Sequence, residues 1–118
     1  MIGVVLAAAI LTPPGMARVT PTHPIRGWGD YAVESCGEWT AYVAANHDHG
    51  AAGSWIAGYL SRAAIAQDRD ILRLTDFAGV MGWLDNWCAA HPLDRVGLGV
   101  VQLELELTRR AIDQERGR

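Results

Sequence analysis

Apolar residues recur at helical spacing from Cys36 onward, and turn-forming residues divide this part of the chain into four segments. The first segment opens with Ser35 followed three positions later by Glu38, the capping-box pattern that begins many helices. Its apolar positions follow the i, i+3, i+7 spacing of one helical face, and they are Cys36, Trp39 and Val43. The polar residues 46–49 and Gly50 predict the end of this first helix.

Two further helices are predicted between residues 51 and 91. The second covers 51–67, and its apolar stripe consists of Trp55, Ile56, Tyr59, Leu60 and Ala63. A strip of small residues on the same helix would let another backbone approach closely, which predicts a central position; it consists of Gly50, Gly53, Ala57, Ser61 and Ala64. The third helix can be capped by Thr75 or Asp76 and must end before Pro92. Its predicted core face consists of Phe77, Val80, Met81, Leu84 and Cys88.

The fourth helix is predicted to follow Pro92 at once, with Asp94 in its first turn, where a carboxylate suits the helix dipole. One of its apolar stripes has the spacing of packed helices and consists of Leu93, Val96, Val100, Leu103 and Leu107. A second stripe, which a four-helix monomer does not obviously need, consists of Leu98, Val101, Leu105 and Ile112. No alternating pattern is long enough to indicate a sheet. The sequence therefore predicts an all-α fold, a small orthogonal bundle of four helices (or five) with one disulfide.

The N-terminus has the features of an export signal. The apolar run from Ile2 to Leu11 is too short to cross a bilayer, which takes roughly 20 residues. It fits the apolar core of a signal peptide, although no Lys or Arg precedes it. The alternative is an apolar helix kept in the mature fold. We expect a signal peptide at 1–17 cleaved after Ala17, an irregular lead-in at 18–30, and one helical domain at 31–115.

Whether Cys36 and Cys88 are bonded to each other determines whether their role is structural or catalytic. In an exported protein of this size, two cysteines are expected to form a disulfide. The alternative makes Cys88 a thiol nucleophile with His91 as its base, since residues three apart on a helix can meet. Pro92 ends the helix at that point, and an oxidising compartment would consume the free thiol. The sequence thus favours a bridge.

Other candidates for chemistry are few. His47, Asp48 and His49 could hold a divalent metal only from a loop, because residues two apart on a helix point in different directions. No further ligands at zinc-site spacing follow. There is no phosphate-binding glycine loop, nucleophile elbow or pair of carboxylates on an apolar face. We therefore expect no catalytic residue, metal site or cofactor.

Charge and aromatic content point to protein partners. The net charge of −3 is spread along the chain, unlike the basic stripe of a nucleic-acid binder, so no nucleic acid is expected. Trp83 and Trp87 lie one turn apart beside the predicted core face. Core packing would explain them, but such aromatic residues also anchor protein interfaces.

Three stretches carry a resemblance: "CGEW", "SWIAGYL", and "WLDNWCAAHPLDRV" running into a Leu-rich last helix. With these, residues 33–107 resemble small exported proteobacterial proteins, among them the HdeA-type periplasmic acid-stress chaperones and the Rap/Tai-type immunity proteins of type VI secretion amidase effectors. The resemblance implies a helical periplasmic protein, dimeric at neutral pH, with a Cys36–Cys88 bridge and no enzymatic activity. Unlike the lysine-rich chaperones, this chain contains no lysine.

Two functions follow as expectations. The first is a stress chaperone or holdase that binds unfolding client proteins in acid, and the second is an immunity or inhibitor protein that blocks an effector enzyme. For either function, we expect a protein-binding or dimer interface at Trp83, Trp87, Leu98, Val101 and Leu105. A homodimer is expected because one stripe of the last helix closes the bundle and the other would otherwise face water.

Overall fold

The fold is all-α in a computed structural model that describes residues 34–117, together with Gly3. The described part has four helices: α1 (Cys36–Asn46), α2 (Gly50–Gln67), α3 (Phe77–Ala90) and α4 (Val96–Arg116). Within it, the only extended pairing is an isolated bridge between Ser35 and Arg95. None of these helices has both the length and the apolarity needed to cross a membrane. The predicted signal peptide and its cleavage after Ala17, the lead-in and residues 31–33 of the predicted domain lie outside the described residues.

Local side-chain chemistry sets the helix ends. The predicted capping box of α1 is confirmed: the Glu38 backbone N–H donates to Ser35 Oγ at 3.1 Å, and the Ser35 N–H donates to Glu38 Oε2 at 3.1 Å. The chain leaves α1 at His47, whose φ of 56° is left-handed. Asp76 caps α3 by accepting a hydrogen bond from the Gly79 N–H at 2.8 Å. The start and end of α1 and the start of α3 therefore agree with the capping and turn-forming residues in the sequence.

The disulfide joins α1 to α3 through the core. Cys36 and Cys88 are bonded, both are fully buried, and their Cα atoms lie 4.7 Å apart. Beside the bridge, the Cys36 N–H donates to the Asp94 carbonyl at 2.7 Å. Closing a loop of 52 residues stabilises a fold by roughly 4 kcal/mol in the chain-entropy model. The bridge predicted from the sequence is therefore present at the centre of the bundle.

The core lies mainly between α3 and its two neighbours. The most extensive contacts join α1 to α3 and α3 to α4, while α2 has fewer contacts with α4. The expectation that α2 is the central helix was therefore wrong: α3 is central, because it carries the disulfide and the more strongly apolar face. The large side chains that are almost completely buried are Ile56, Leu60, Ile71, Leu84, Val96, Val100, Leu103 and Thr108.

Four details of the predicted pattern were also wrong. The fourth helix begins at Val96, so Asp94 lies in the preceding turn and not in the first turn of the helix. Leu93, placed on the core stripe, is 96% exposed. Phe77, placed on the core face of α3, is 54% exposed because it is the first residue of that helix. Ile112, assigned to the outer stripe of α4, is buried within the single chain.

Candidate functional site

The predicted interface residues lie on one side of the bundle, where α3 and α4 meet. We call Trp83, Trp87, Leu98, Val101 and Leu105 the α3–α4 face. Leu98 is 46% exposed and Val101 is 38% exposed, and the other three are partly exposed. Leu105 continues the exposed stripe of α4 into a groove of about 300 Å³ that is also lined by the two tryptophans. The structure thus joins an aliphatic stripe to an aromatic groove.

Close backbone packing holds Trp87 in this groove. A Cβ atom at position 99 would lie 2.6 Å from Cε3 of Trp87, so only glycine leaves room for the indole ring against α4. The ring also stacks on His91, with centroids 4.2 Å apart and planes at 15°. His91 Nδ1 lies 2.7 Å from the Trp87 carbonyl oxygen, which fixes the imidazole. Trp87 is therefore held in place before any partner binds.

Ion pairs on α4 border the groove. Glu106 accepts hydrogen bonds from Arg109 at 2.9 Å and from Arg110 at 2.7 Å, while Arg109 also pairs with Asp113 at 2.7 Å. Hydrogen bonds from Arg109 and Arg110 lower the pKa of Glu106 from 4.5 to about 2. Glu106 and Arg109 both line the groove. An apolar floor with charges at its edge is the usual composition of a protein-binding surface.

The Cys88–His91 pair considered for catalysis is not formed. The sulfur of Cys88 is bonded to Cys36, so it is not a thiol, and the His91 ring faces Trp87.

His47 and His49, the two histidines of the 47–49 turn, have different surroundings. His47 is exposed at the C-terminal end of α1, whereas His49 Nε2 lies 2.9 Å and 3.0 Å from the two carboxylate oxygens of Asp85 on α3. Asp85 also accepts a hydrogen bond from Trp39 Nε1 at 2.8 Å. Among the described residues, no group of three or more His, Cys, Asp or Glu side chains is arranged to hold a metal. His49 instead belongs to a polar junction of α1, α2 and α3.

A second polar junction joins α2 to α4. Tyr59 donates to Glu104 Oε2 at 2.6 Å, Gln67 donates to Glu104 Oε1 at 3.3 Å, and the buried Thr108 donates to Gln67 Oε1 at 3.1 Å. Burial and the neighbouring Glu104 carboxylate raise the pKa of Tyr59 well above its usual range. Near the C-terminal end of α4, the Glu115 carboxylate pairs with Arg69 at 3.0 Å.

Sequence reasoning missed both junctions. The one available signal at Asp85 is a charge between two tryptophans on an apolar helix, but nothing in the spacing shows that His49, 36 positions earlier, reaches it. Thr108 carried a similar signal, because a hydroxyl on a core stripe needs a partner when it is buried. The partners themselves depend on how the helices pack, which the pattern does not specify.

Comparison with protein-family models, with curated proteins and with solved structures found no match for this chain.

Proposed function

We propose that this chain is a non-enzymatic, periplasmic protein-binding protein that acts as an acid-stress holdase, similar to the HdeA-type chaperones. The observation that carries the proposal is the α3–α4 face. Aliphatic and aromatic side chains that remain wholly or partly exposed are typical of sites that bind other polypeptides. In this proposal the face is covered at neutral pH in a homodimer and becomes available to unfolding clients in acid.

The contacts between helices support an acid trigger. Three carboxylates connect separate parts of the bundle: Asp85 on α3 contacts Trp39 and His49, and Glu104 and Glu115 on α4 contact Tyr59 and Arg69. Carboxylates as a class lose their charge in strong acid, so contacts of this type are those on which the acid trigger of this proposal would act.

The overall charge of the chain also supports an acid trigger. The 13 Asp and Glu residues lose their charge in strong acid, while the 10 Arg and four His residues are positive. The resulting self-repulsion loosens helix packing and exposes apolar surface, while the disulfide still ties α1 to α3.

A second candidate function is favoured by the rigidity of the groove. Trp87 packs closely against Gly99 and stacks on His91, so the groove is already formed in the single chain. A preformed site of this kind suits a Rap/Tai-like immunity or inhibitor protein, which must bind its effector enzyme at neutral pH. The two functions therefore differ in the pH at which the face is used.

The test is suppression of client aggregation as a function of pH. A purified acid-labile enzyme is brought to pH 2.5 with and without a molar excess of this protein, and light scattering is followed. We expect strong suppression at pH 2.5 and none for the same client heated at pH 7. The double variant L98Q/V101Q should lose at least half of the suppression.

The matched control is I65Q/L74Q, which removes two apolar side chains that are 71% and 48% exposed on another part of the surface. This control should suppress aggregation as the unaltered protein does. Absence of suppression by the unaltered protein at pH 2.5 would rule out the holdase. Tight binding of a cell-wall amidase at pH 7, lost in L98Q/V101Q, would support the inhibitor instead.

A further inference from the structure

Carboxylates of α3 and α4 contact α2 at three places along its length. One place is the N-cap of the helix, one is near its middle, and one lies two residues after its last residue. The three pairs are His49 with Asp85 at 2.9 Å, Tyr59 with Glu104 at 2.6 Å, and Arg69 with Glu115 at 3.0 Å. All three pairs therefore include a group of the class that loses its charge in strong acid.

The other groups that donate hydrogen bonds to these carboxylates, among the described residues, are neutral. Trp39 Nε1 donates to Asp85 at 2.8 Å, and Gln67, the last residue of α2, donates to Glu104 at 3.3 Å. Gln67 in turn accepts a hydrogen bond from Thr108 at 3.1 Å. The ionic part of these contacts thus comes from the carboxylates and from His49 and Arg69.

Apolar packing holds α2 less firmly than it holds α3 and α4. The helix makes fewer close backbone contacts with any other helix than α3 makes with α1 or with α4. Of its 18 residues, the only large ones that are buried are Ile56 and Leu60. A cavity of about 160 Å³ lies between its small residue Ala57 and the side chains of Phe77 and Val80 at the start of α3. The position of α2 therefore depends more on its carboxylate contacts.

The disulfide encloses α2 without binding it. α2 lies inside the loop that the Cys36–Cys88 bridge closes, and the helices before and after it, α1 and α3, are the two that the bridge joins. If α2 moved away from the bundle, it would stay attached at both ends. Such a change is a local opening and not a global unfolding.

We infer that α2 is the helix that acid releases, and that the apolar surface uncovered in this way binds clients together with the α3–α4 face; this inference rests on the proposed holdase. Release exposes Ile56 and Leu60, which are 0% and 1% exposed in the closed bundle. It also uncovers Met81 on α3, whose sulfur lies 3.6 Å from where a Cβ of Gly53 would be. Methionine adapts to partners of different shape, which suits a surface that binds many clients.

Hydrogen–deuterium exchange on the purified protein, read by mass spectrometry, tests the release of α2. Exchange is measured at pH 7 and pH 2.5, and each protection factor is corrected for the intrinsic exchange rate at that pH. In acid, the protection of residues 51–66 should fall at least about tenfold more than that of residues 80–88, since tenfold is close to the effect of losing one hydrogen bond to a charged group. The L98Q/V101Q variant should show the same loss, which separates release of α2 from dissociation of a dimer.

An amide variant should release α2 without acid. D85N/E104Q/E115Q replaces the three carboxylates by neutral groups of nearly the same shape, as protonation does. At pH 7, its protection in 51–66 should be at least about tenfold below that of the unaltered protein, while residues 80–88 stay protected. If circular dichroism shows that the triple variant is unfolded, E104Q alone provides the same comparison with a smaller loss.

The matched control is D70N/E106Q/D113N, which changes the net charge by the same amount. Asp70 lies in the segment between α2 and α3, and Glu106 and Asp113 pair with arginines of α4 itself. The protection of α2 in this control should equal that of the unaltered protein at pH 7. An equal loss in both triple variants would assign the effect to net charge and overturn the inference.

Aggregation of a heated client at pH 7 tests whether the uncovered surface binds. D85N/E104Q/E115Q should suppress it, whereas D70N/E106Q/D113N should not. A variant with released α2 and no suppression would overturn the binding role of this surface. Suppression by the unaltered protein at pH 2.5 with α2 still protected would overturn the inference and leave the holdase in place, while loss of α2 protection without suppression would support the release and reject the holdase.

Discussion

Gly99 is the residue that most directly controls the α3–α4 face, because the Trp87 ring lies where its side chain would be. A Cβ there would approach the ring to 2.6 Å and 3.0 Å, and the ring is also stacked on His91. The G99A variant gains helix propensity of up to about 1 kcal/mol but forces Trp87 outward, and overpacking typically costs about 1–3 kcal/mol. We expect net destabilisation and a red-shifted tryptophan emission, measured by urea unfolding followed by fluorescence.

Gly58 provides the control for this prediction. It is an exposed helical glycine on α2, and nothing lies within 4 Å of a Cβ at that position. The G58A variant should therefore gain up to about 1 kcal/mol of stability, as expected for alanine in an exposed helix interior. If G99A were stabilised to the same extent as G58A, the close packing of Trp87 on α4 would be refuted.

At the scale of the element, α4 shows how far a periodic pattern can be followed. The stripe that predicted the core was correct for Val96, Val100, Leu103 and Leu107, all buried, but it failed at Leu93. The main-chain hydrogen bonds of the α1 N-terminus to the Asp94 and Pro92 carbonyls hold residues 92–94 in a turn, so the helical register begins only at Val96. A local pattern cannot reveal such a long-range backbone contact.

The outer stripe of the same helix was correct only at its beginning. Leu98 and Val101 are exposed and Leu105 is partly exposed, but Ile112 is buried. Ile112 lies 14 residues after Leu98, which at 3.6 residues per turn places it at an angle between those of Val101 and Leu105, so the helix period alone does not explain why it is buried. The part of the candidate site that lies along α4 alone could be predicted from the sequence. The groove against Trp83 and the Asp85 junction depend on the packing of α3, which no spacing in the sequence encodes.

The charged side of α4 gives a pH prediction. Hydrogen bonds from Arg109 and Arg110 lower the pKa of Glu106 from 4.5 to about 2. A carboxyl group with a lowered pKa in the folded state stabilises the fold above its unfolded pKa, and this contribution is lost as the pH falls from about 4.5 through about 2. Because these pairs are at the surface, the contribution should be below about 1 kcal/mol. The E106Q variant should be less stable than the unaltered protein at pH 6, and the difference should shrink as the pH falls toward 2, by urea unfolding.

The control for the pH prediction is D70N, which removes an exposed carboxylate from the segment between α2 and α3. Its stability difference from the unaltered protein should change less between pH 6 and pH 2 than that of E106Q. A constant deficit of E106Q at both pH values would contradict the assignment, because it would then come from packing and not from ionisation.

At the scale of the whole molecule, the disulfide and the carboxylate junctions have different responses to acid. The Cys36–Cys88 bridge joins α1 to α3 regardless of pH, whereas the contacts of Asp85, Glu104 and Glu115 depend on charge. In the proposed holdase, acid would act on these carboxylate contacts while the covalent connection persists. Opening of the surface without complete unfolding is what the holdase proposal requires of this chain.

The last prediction concerns self-association through the α3–α4 face. Leu98, Val101 and Leu105 form a row on α4, and soluble monomers rarely leave several large aliphatic side chains adjacent to one another in water. A symmetric pair of chains would use the same row twice, with up to roughly 1.5–3 kcal/mol for each side chain that becomes fully buried. We expect sedimentation to show a homodimer at pH 7 and a monomer near pH 2.5, where positive charges on both chains repel. L98Q/V101Q should be monomeric at both pH values, and I65Q/L74Q should behave as the unaltered protein. A monomer at pH 7 would refute the interface, whereas a dimer that persists in acid would argue against the holdase and leave the inhibitor function in place.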